Sequence, residues 1–208
     1  MSPEDLAHLL TVCLRSHTPA LHVVVFVAVT SGCRKMEILT LRWGDVDLER
    51  GYLRLQQTKN RTKRAVPIPP QTVAVLQQWQ RARRFDVDWV FPRPDGQRPL
   101  DLDTAWNNAV KRAGITDFHF HDLRHTAASY LAMTGASLLE IAEVLGHQTL
   151  QMVKRYTHFT EGHTAPLVHR MAEHLLSSSP SPAGARQEEP PVPPPGKVWL
   201  RGPSSMQE

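Results

Sequence analysis

Cysteine is nearly missing from this chain of 208 residues, which carries only Cys13 and Cys33. Two thiols cannot build a disulfide framework, and such sparse usage suits a reducing compartment. Long apolar runs are missing too. The most apolar stretch, LHVVVFVAVT at 21–30, lies between Pro19 and Ser31-Gly32 and is too short to span a bilayer, so it reads as a buried core helix. The opening MSPEDLAHLL is acidic and amphipathic, the wrong pattern for a secretory signal. No charge of one sign dominates: 24 Lys and Arg stand against 20 Asp and Glu, with 11 His, for a net +4. That balance is weak evidence for a polyanionic partner, and the positions of the cations matter more. No internal repeat is visible.

What remains is the composition of a soluble folded protein, 41% hydrophobic and 21% charged, long enough for one domain with an appendage. Ser2-Pro3-Glu4-Asp5 has the N-cap, N1 proline and first-turn acids of a helix running to about Arg15. Thr18-Pro19 is expected to cap a second helix ending at Ser31-Gly32, and a third starts around Arg34. In VDLERGYLRLQQTKNRTKRAVPIP, the alternation at 52–55 and the run 65–68 predict a small antiparallel sheet with a cationic tip. Helical patterning returns over 70–84, with Val73, Val75, Leu76 and Trp79 on one side. Asp101 or Asp103 is expected to cap a helix reaching Lys111, with Gly114 closing it. Further helices are predicted over about 122–133, 137–144 and 149–159, and a last amphipathic segment ends near Leu176. The fold class is therefore α+β, mainly α, with a small antiparallel β-sheet near the N-terminal third. Residues 177–208 hold eight of the 17 prolines and few apolar residues, and read as a Pro/Ser-rich disordered tail.

The stretch FHFHDLRHTA at 118–127 is the densest in chemistry, with His119, His121, Arg124 and His125 close together. His119, between Phe118 and Phe120, reads as a packing residue. His125 reads as a satisfied core histidine. A zinc site is the sharpest rival, because His121 and His125 have the i, i+4 spacing of a zincin helix. Against it, the acid is Asp122 rather than a longer glutamate, and Arg124 shares the face of His121, where a guanidinium beside a dication is unfavourable. His121 and Arg124 at i, i+3 instead suit a phosphate, which takes hydrogen bonds from an imidazole and a planar guanidinium fork. Elsewhere, Arg34 follows a Gly turn with Glu37 three residues on. Lys59, Arg61, Lys63 and Arg64 make a cationic tip, His147 follows a helix stop at Gly146, and Tyr156 lies in a helical segment. Taken singly, each has an ordinary structural reading.

Together, in this order, SGCRKMEILTLRWGDVD, TKNRTKRAVPIP, HDLRHTAASYL, LGH and YTH resemble the tyrosine recombinase or phage integrase family over about residues 3–176. The resemblance implies a helical catalytic domain at 1–176. It implies Arg34 as a first catalytic arginine, Lys59 as the hairpin lysine, His121 and Arg124 as the H-x-x-R pair, His147 as the histidine after Leu-Gly, and Tyr156 as nucleophile. Glu37 would support Arg34, and His125 is the second histidine of the HxxRH pattern. Lys63 shares the tip with Lys59, and with Arg61 and Arg64 is expected to contact DNA.

Such a site would cleave double-stranded DNA by tyrosine attack on phosphorus, conserving the phosphodiester energy in a covalent 3′-phosphotyrosine with no metal, nucleotide or other cofactor. Arg34 and Arg124 would stabilise charge on the non-bridging oxygens, and His147 would donate another hydrogen bond. Lys59, or Lys63 on the same tip, would protonate the leaving oxygen and His121 accept the tyrosine proton. A site rich in cations lacks the carboxylates that two-metal hydrolysis needs. The resemblance further implies assembly as a tetramer on DNA, while the sparse cysteines and short apolar runs point to a cytoplasmic protein with no membrane partner. Two departures stand out: the chain begins near the first catalytic-domain helix, so the N-terminal DNA clamp is expected to be absent, and Cys33 replaces a larger apolar residue. Two other readings stay open, a type IB topoisomerase and a non-catalytic DNA-binding fragment.

Overall fold

The computed structural model describes residues 1–56, 63–146, 151, 156, 168–169 and 171, with backbone alone for Gln56 and Lys63. Two compact units divide the chain, Met1–Thr164 and Ala165–Glu208. In the second, the described Val168, His169 and Met171 have helical backbone. The predicted tail at 177–208 lies outside the described residues, as does most of the predicted helix at 149–159.

In the first unit, Ser2 caps α1 (Pro3–Leu14) through a capping box with Asp5. The second helix, α2 (Ala20–Ser31), contradicts one expectation. Its N-cap position is Pro19, no side chain caps it, and its first turn is closed by the Leu21 N–H donating to the Thr18 carbonyl at 3.0 Å. Five of its residues are valine, a poor helix former in isolation. Burial overrides that propensity: Leu21, Val24, Val25 and Val27 are fully enclosed, each contributing about 1.5–3 kcal/mol. Around it pack α1, α4 (Pro70–Arg81), α6 (Asp122–Met133) and the short α3 (Lys35–Leu39).

A 3-10 turn over Trp43–Asp45 leads into a three-stranded antiparallel sheet, β1 (Val46–Asp47), β2 (Tyr52–Gln56) and β3 (Lys63–Pro67). The two-residue β1 was not foreseen; it is too short to display a period. In β2 and β3 the alternation holds, with Leu53, Leu55 and Val66 buried and Tyr52, Arg54 and Ala65 exposed. Register pairs Leu53 with Val66 and Leu55 with Arg64. Pro67 is tolerated because β3 is an edge strand.

Helix α4 stops at Arg81 rather than Arg84, and Thr72 on it donates to Thr30 of α2 at 2.8 Å. Helix α5 (Asp103–Arg112) has its first N–H taken by the Asp101 carboxylate at 3.0 Å, from one residue before the cap position. Helix α6 has the predicted bounds. Ser137 and Glu140 form a capping box on α7 (Leu138–Leu145), which starts and ends one residue later than expected. Small residues on α6, Ala128 and Ala132, let Ile141, Ala142 and Leu145 of α7 pack closely with Tyr156 in a second apolar cluster. Among the described residues no helix is long and apolar enough to cross a membrane.

Gly32 ends α2 at φ +64°, where a Cβ would meet Leu145 Cδ2 at 2.3 Å. Left-handed strain and overpacking therefore combine at this position. Gly32→Ala is expected to lower stability by about 2–4 kcal/mol in urea unfolding. Gly44→Ala, whose Cβ meets nothing within 4 Å, is expected to stay within about 1 kcal/mol of wild type.

Candidate active site

Helix α6 begins the site. Asp122 in its first turn accepts the His119 backbone N–H at 2.7 Å, which anchors the entry into the helix. His119 is not the packing residue that its phenylalanine neighbours suggested: its side chain is exposed, with Nδ1 3.5 Å from Asp122. The H-x-x-R pair is divided between two environments. His121 is exposed at the helix start. Arg124 is 3% exposed and turns inward, donating from Nη1 to the Gly32 carbonyl at 2.7 Å and from Nη2 to the Leu145 carbonyl at 2.6 Å. These acceptors close α2 and α7, where unsatisfied carbonyls and the negative dipole end both favour a cation. Burial, the neighbouring charge of Arg34 and that of Arg64 bring Arg124 down to about 10, with Glu37 opposing, so it stays protonated at neutral pH.

Glu37 is the hub of the cationic group. Its carboxylate accepts the backbone N–H of Arg34 at 2.8 Å, Arg34 Nη1 at 2.8 Å and Arg64 Nη2 at 2.9 Å. Burial pushes this carboxyl up, but the Arg34 backbone bond and the Arg64 charge outweigh it, leaving Glu37 below the ordinary carboxylate range.

Arg64 departs from the expectation of an exposed, DNA-contacting tip. It points inward, only 14% exposed, bonded to Glu37 and, through Nη1, to the Val144 carbonyl at 2.8 Å. Its guanidinium lies so close to Gly146 that a Cβ there would meet it at 2.8 Å, and its buried Nε has no hydrogen-bond partner among the described residues. One signal for this was in the sequence: Arg64 has the strand parity of Val66 and Ile68, both buried.

Tyr156 is 4% exposed within the α6–α7 cluster. Its hydroxyl lies 2.6 Å from Nδ1 of His125, the second histidine of the HxxRH pattern. The ring of His121 stands edge-on to that of His125, centroids 5.0 Å apart. Lys59, Arg61 and His147 lie outside the described residues, as does the side chain of Lys63. Among the described residues no group of three or more His, Cys, Asp or Glu is placed to hold a metal ion. Cys33, buried at the end of α2, has its thiol pushed up to about 11 by burial, partly offset by its hydrogen bond with Ser31.

The arrangement therefore gathers two guanidiniums on one carboxylate with a third, Arg124, close enough to feel their charge, a net excess of positive charge, and α6 also carries the imidazole bonded to Tyr156. Arg34 is the most open of the three, its side chain 40% exposed. Such a group suits an anion with several oxygens. Glu37 keeps it from being purely repulsive, and its depressed pKa means its stabilisation is full above pH 4.5 and lost as pH falls below that. Glu37→Gln, which leaves two arginines without their counter-charge, is expected to cost about 3 kcal/mol at pH 7, or about 10 °C in Tm. Near pH 3 the gap between mutant and wild type is expected to narrow, as read by thermal scans at both pH values.

A sequence profile of the phage integrase family matches residues 1–163. The chain is 29% identical to the integrase of Salmonella phage P22 over 204 residues, 91% of this chain and 51% of that protein. It is 36% identical to a shufflon-specific DNA recombinase of Escherichia coli over 140 residues, 66% of this chain and 34% of that one. It thus spans about half or less of these curated relatives. Among solved structures, the catalytic domain of bacteriophage HP1 integrase matches with a TM-score of 0.65 at 30% identity, covering 81% of this chain and 92% of that domain. On this evidence the chain belongs to the phage integrase family.

Proposed function

We propose that this chain is the catalytic part of a site-specific DNA strand transferase, with residues 1–176 as the catalytic domain. Tyr156 Oη attacks a backbone phosphorus, forming a 3′-phosphotyrosyl bond and releasing a 5′-hydroxyl. Attack by another 5′-hydroxyl reverses the step and joins new strands. The observation that carries this reading is the buried Tyr156 hydroxyl, 2.6 Å from an imidazole on the same turn of α6 that sends Arg124 into the arginine cluster. A phosphodiester passing to its pentacoordinate transition state gains negative charge on its non-bridging oxygens, which a net-positive cluster stabilises. Arg34, the exposed member, is positioned to meet those oxygens. Arg124 supplies charge from behind and holds the helix ends. His147 is assigned a further hydrogen bond to the phosphate, Lys59 the proton for the leaving oxygen, and the pair His121 and His125 the proton from Tyr156. Arg61 and Lys63 are assigned to the DNA backbone. Two free thiols suit a reducing compartment, so the protein is assigned to the cytoplasm, and strand exchange between two duplexes calls for four protomers on DNA. Names among the relatives, integrase and DNA recombinase, support the reading.

Two measurements test it. On nicked duplexes that lose their 5′-hydroxyl fragment after cleavage, the wild type is expected to form a denaturation-resistant protein–DNA adduct in the presence of a chelator, and Tyr156→Phe none. DNA binding without any adduct would favour the non-catalytic reading, and site-independent relaxation of supercoiled plasmid the topoisomerase one. Arg34→Ala is expected to slow adduct formation by about 10²–10³-fold, as removal of one donor to a developing oxyanion does.

A further inference from the structure

The sequence pattern offers His121 as acceptor of the tyrosine proton, whereas the geometry points to a different residue. We propose that His125 takes the Tyr156 proton during strand cleavage, an inference that rests on the strand-transfer reading above. Its Nδ1 lies 2.6 Å from Oη, within the short range for a hydroxyl donor. Among the described residues Tyr156 also packs against the apolar Ala128, Ala132, Ile141, Ala142 and Leu145. The nearby carboxylates are engaged elsewhere: Glu37 is held by Arg34 and Arg64, and Asp122 accepts the His119 N–H. His121 contacts the ring of His125 edge-on, one step further from the hydroxyl.

The position of His125 also suits onward transfer. It is half-buried, touching Tyr156 while lining a cleft of about 430 Å³ together with Asp122, Ser129 and Tyr130. The imidazole thus joins an enclosed hydroxyl to an open cleft, a path along which a proton can leave. In the resting state Oη–H donates to Nδ1, and the ring proton sits on Nε2. As Oη bonds to phosphorus, its proton passes to Nδ1 and the ring becomes imidazolium. The P–O5′ bond breaks, and the 5′-oxygen leaves with the proton assigned to Lys59. On rejoining, the imidazolium returns its proton to Oη as the phosphotyrosyl bond breaks. Among the described residues, the charged and titratable groups facing the pair are His121, against the His125 ring, and Asp122, Tyr130 and Met1 along the cleft, while the α7 residues packed on Tyr156, Ile141, Ala142 and Leu145, are apolar.

A structural role is the rival explanation, since any buried phenol needs a hydrogen-bond partner. His125→Asn separates the two, because it keeps a hydrogen-bonding group near the Nδ1 position and removes the base. Single-turnover adduct formation on a nicked suicide duplex would be followed from pH 6 to 9 for the wild type and this variant. Near neutral pH the variant is expected to be slower by about 10²–10⁴-fold, the usual worth of a positioned base. Its rate should then climb about tenfold per pH unit toward the ionisation of tyrosine near about 10, while the wild type levels off. A fluorinated tyrosine at 156, with a more acidic hydroxyl, should speed the variant more than the wild type. A His125→Asn rate equal to wild type, or one reduced equally at every pH, would overturn the proposal while leaving the strand-transfer reading intact. Absence of adduct in the wild type would overturn both.

Discussion

A buried guanidinium holds this structure together. Arg124 leaves α6 and reaches the last carbonyls of two other helices, Gly32 at the end of α2 and Leu145 at the end of α7. Removing a cation from water is costly, and the cost is met only where acceptors and opposite charge are already in place. Two helix C-termini provide both, through unsatisfied carbonyls and aligned peptide dipoles. A lysine could not substitute, because a point charge on a flexible stem lacks the planar fork that spans two carbonyls. Several other features follow from this junction. Gly32 must be glycine because Leu145 presses on it, and Gly146 must be glycine because Arg64 occupies the space a side chain would need. Arg64 in turn joins β3 to both Glu37 and the end of α7.

The fold was legible wherever its causes were local. The capping box at Ser2 and Asp5, the apolar block of α2, the Gly32 and Gly146 stops and the bounds of α6 could all be read from neighbouring residues. Failures came where distant contacts decide. Thr18 has the right side chain for a cap, yet only its backbone carbonyl is used. The strand β1 exists because β2 gives it a partner, not because two residues can show a pattern. His119 alternates with two phenylalanines, but the chain turns into α6 there and leaves its side chain in solvent, 3.5 Å from Asp122.

The site divides in the same way. Motif order was enough to single out Arg34, Glu37, His121, Arg124, His125 and Tyr156, and family membership is consistent with that order. Spacing could not say where long side chains end. An i, i+3 relation puts His121 and Arg124 on adjacent positions of one face, yet the guanidinium extends past its own helix to acceptors 92 and 21 residues away in sequence. Arg64 looked like one more cation in a charged turn, and only the burial of Val66 and Ile68 on the same parity hinted that it points inward.

Charge balance within the cluster bears on how a phosphate would enter. Glu37 is shared unequally: Arg64 is nearly enclosed and fixed by a second bond to Val144, whereas Arg34 is the more exposed partner. On the proposed strand-transfer reading, an arriving phosphodiester would compete with Glu37 for Arg34 without disturbing the Arg64 bond that keeps the carboxylate in place. The phosphate would gain a guanidinium while Glu37, still countered by Arg64 and by the Arg34 backbone N–H, keeps its charge. Two arginines of similar chemistry thus separate into different tasks through burial alone. The enclosed one preserves the geometry of the carboxylate, and the open one is left able to change partner.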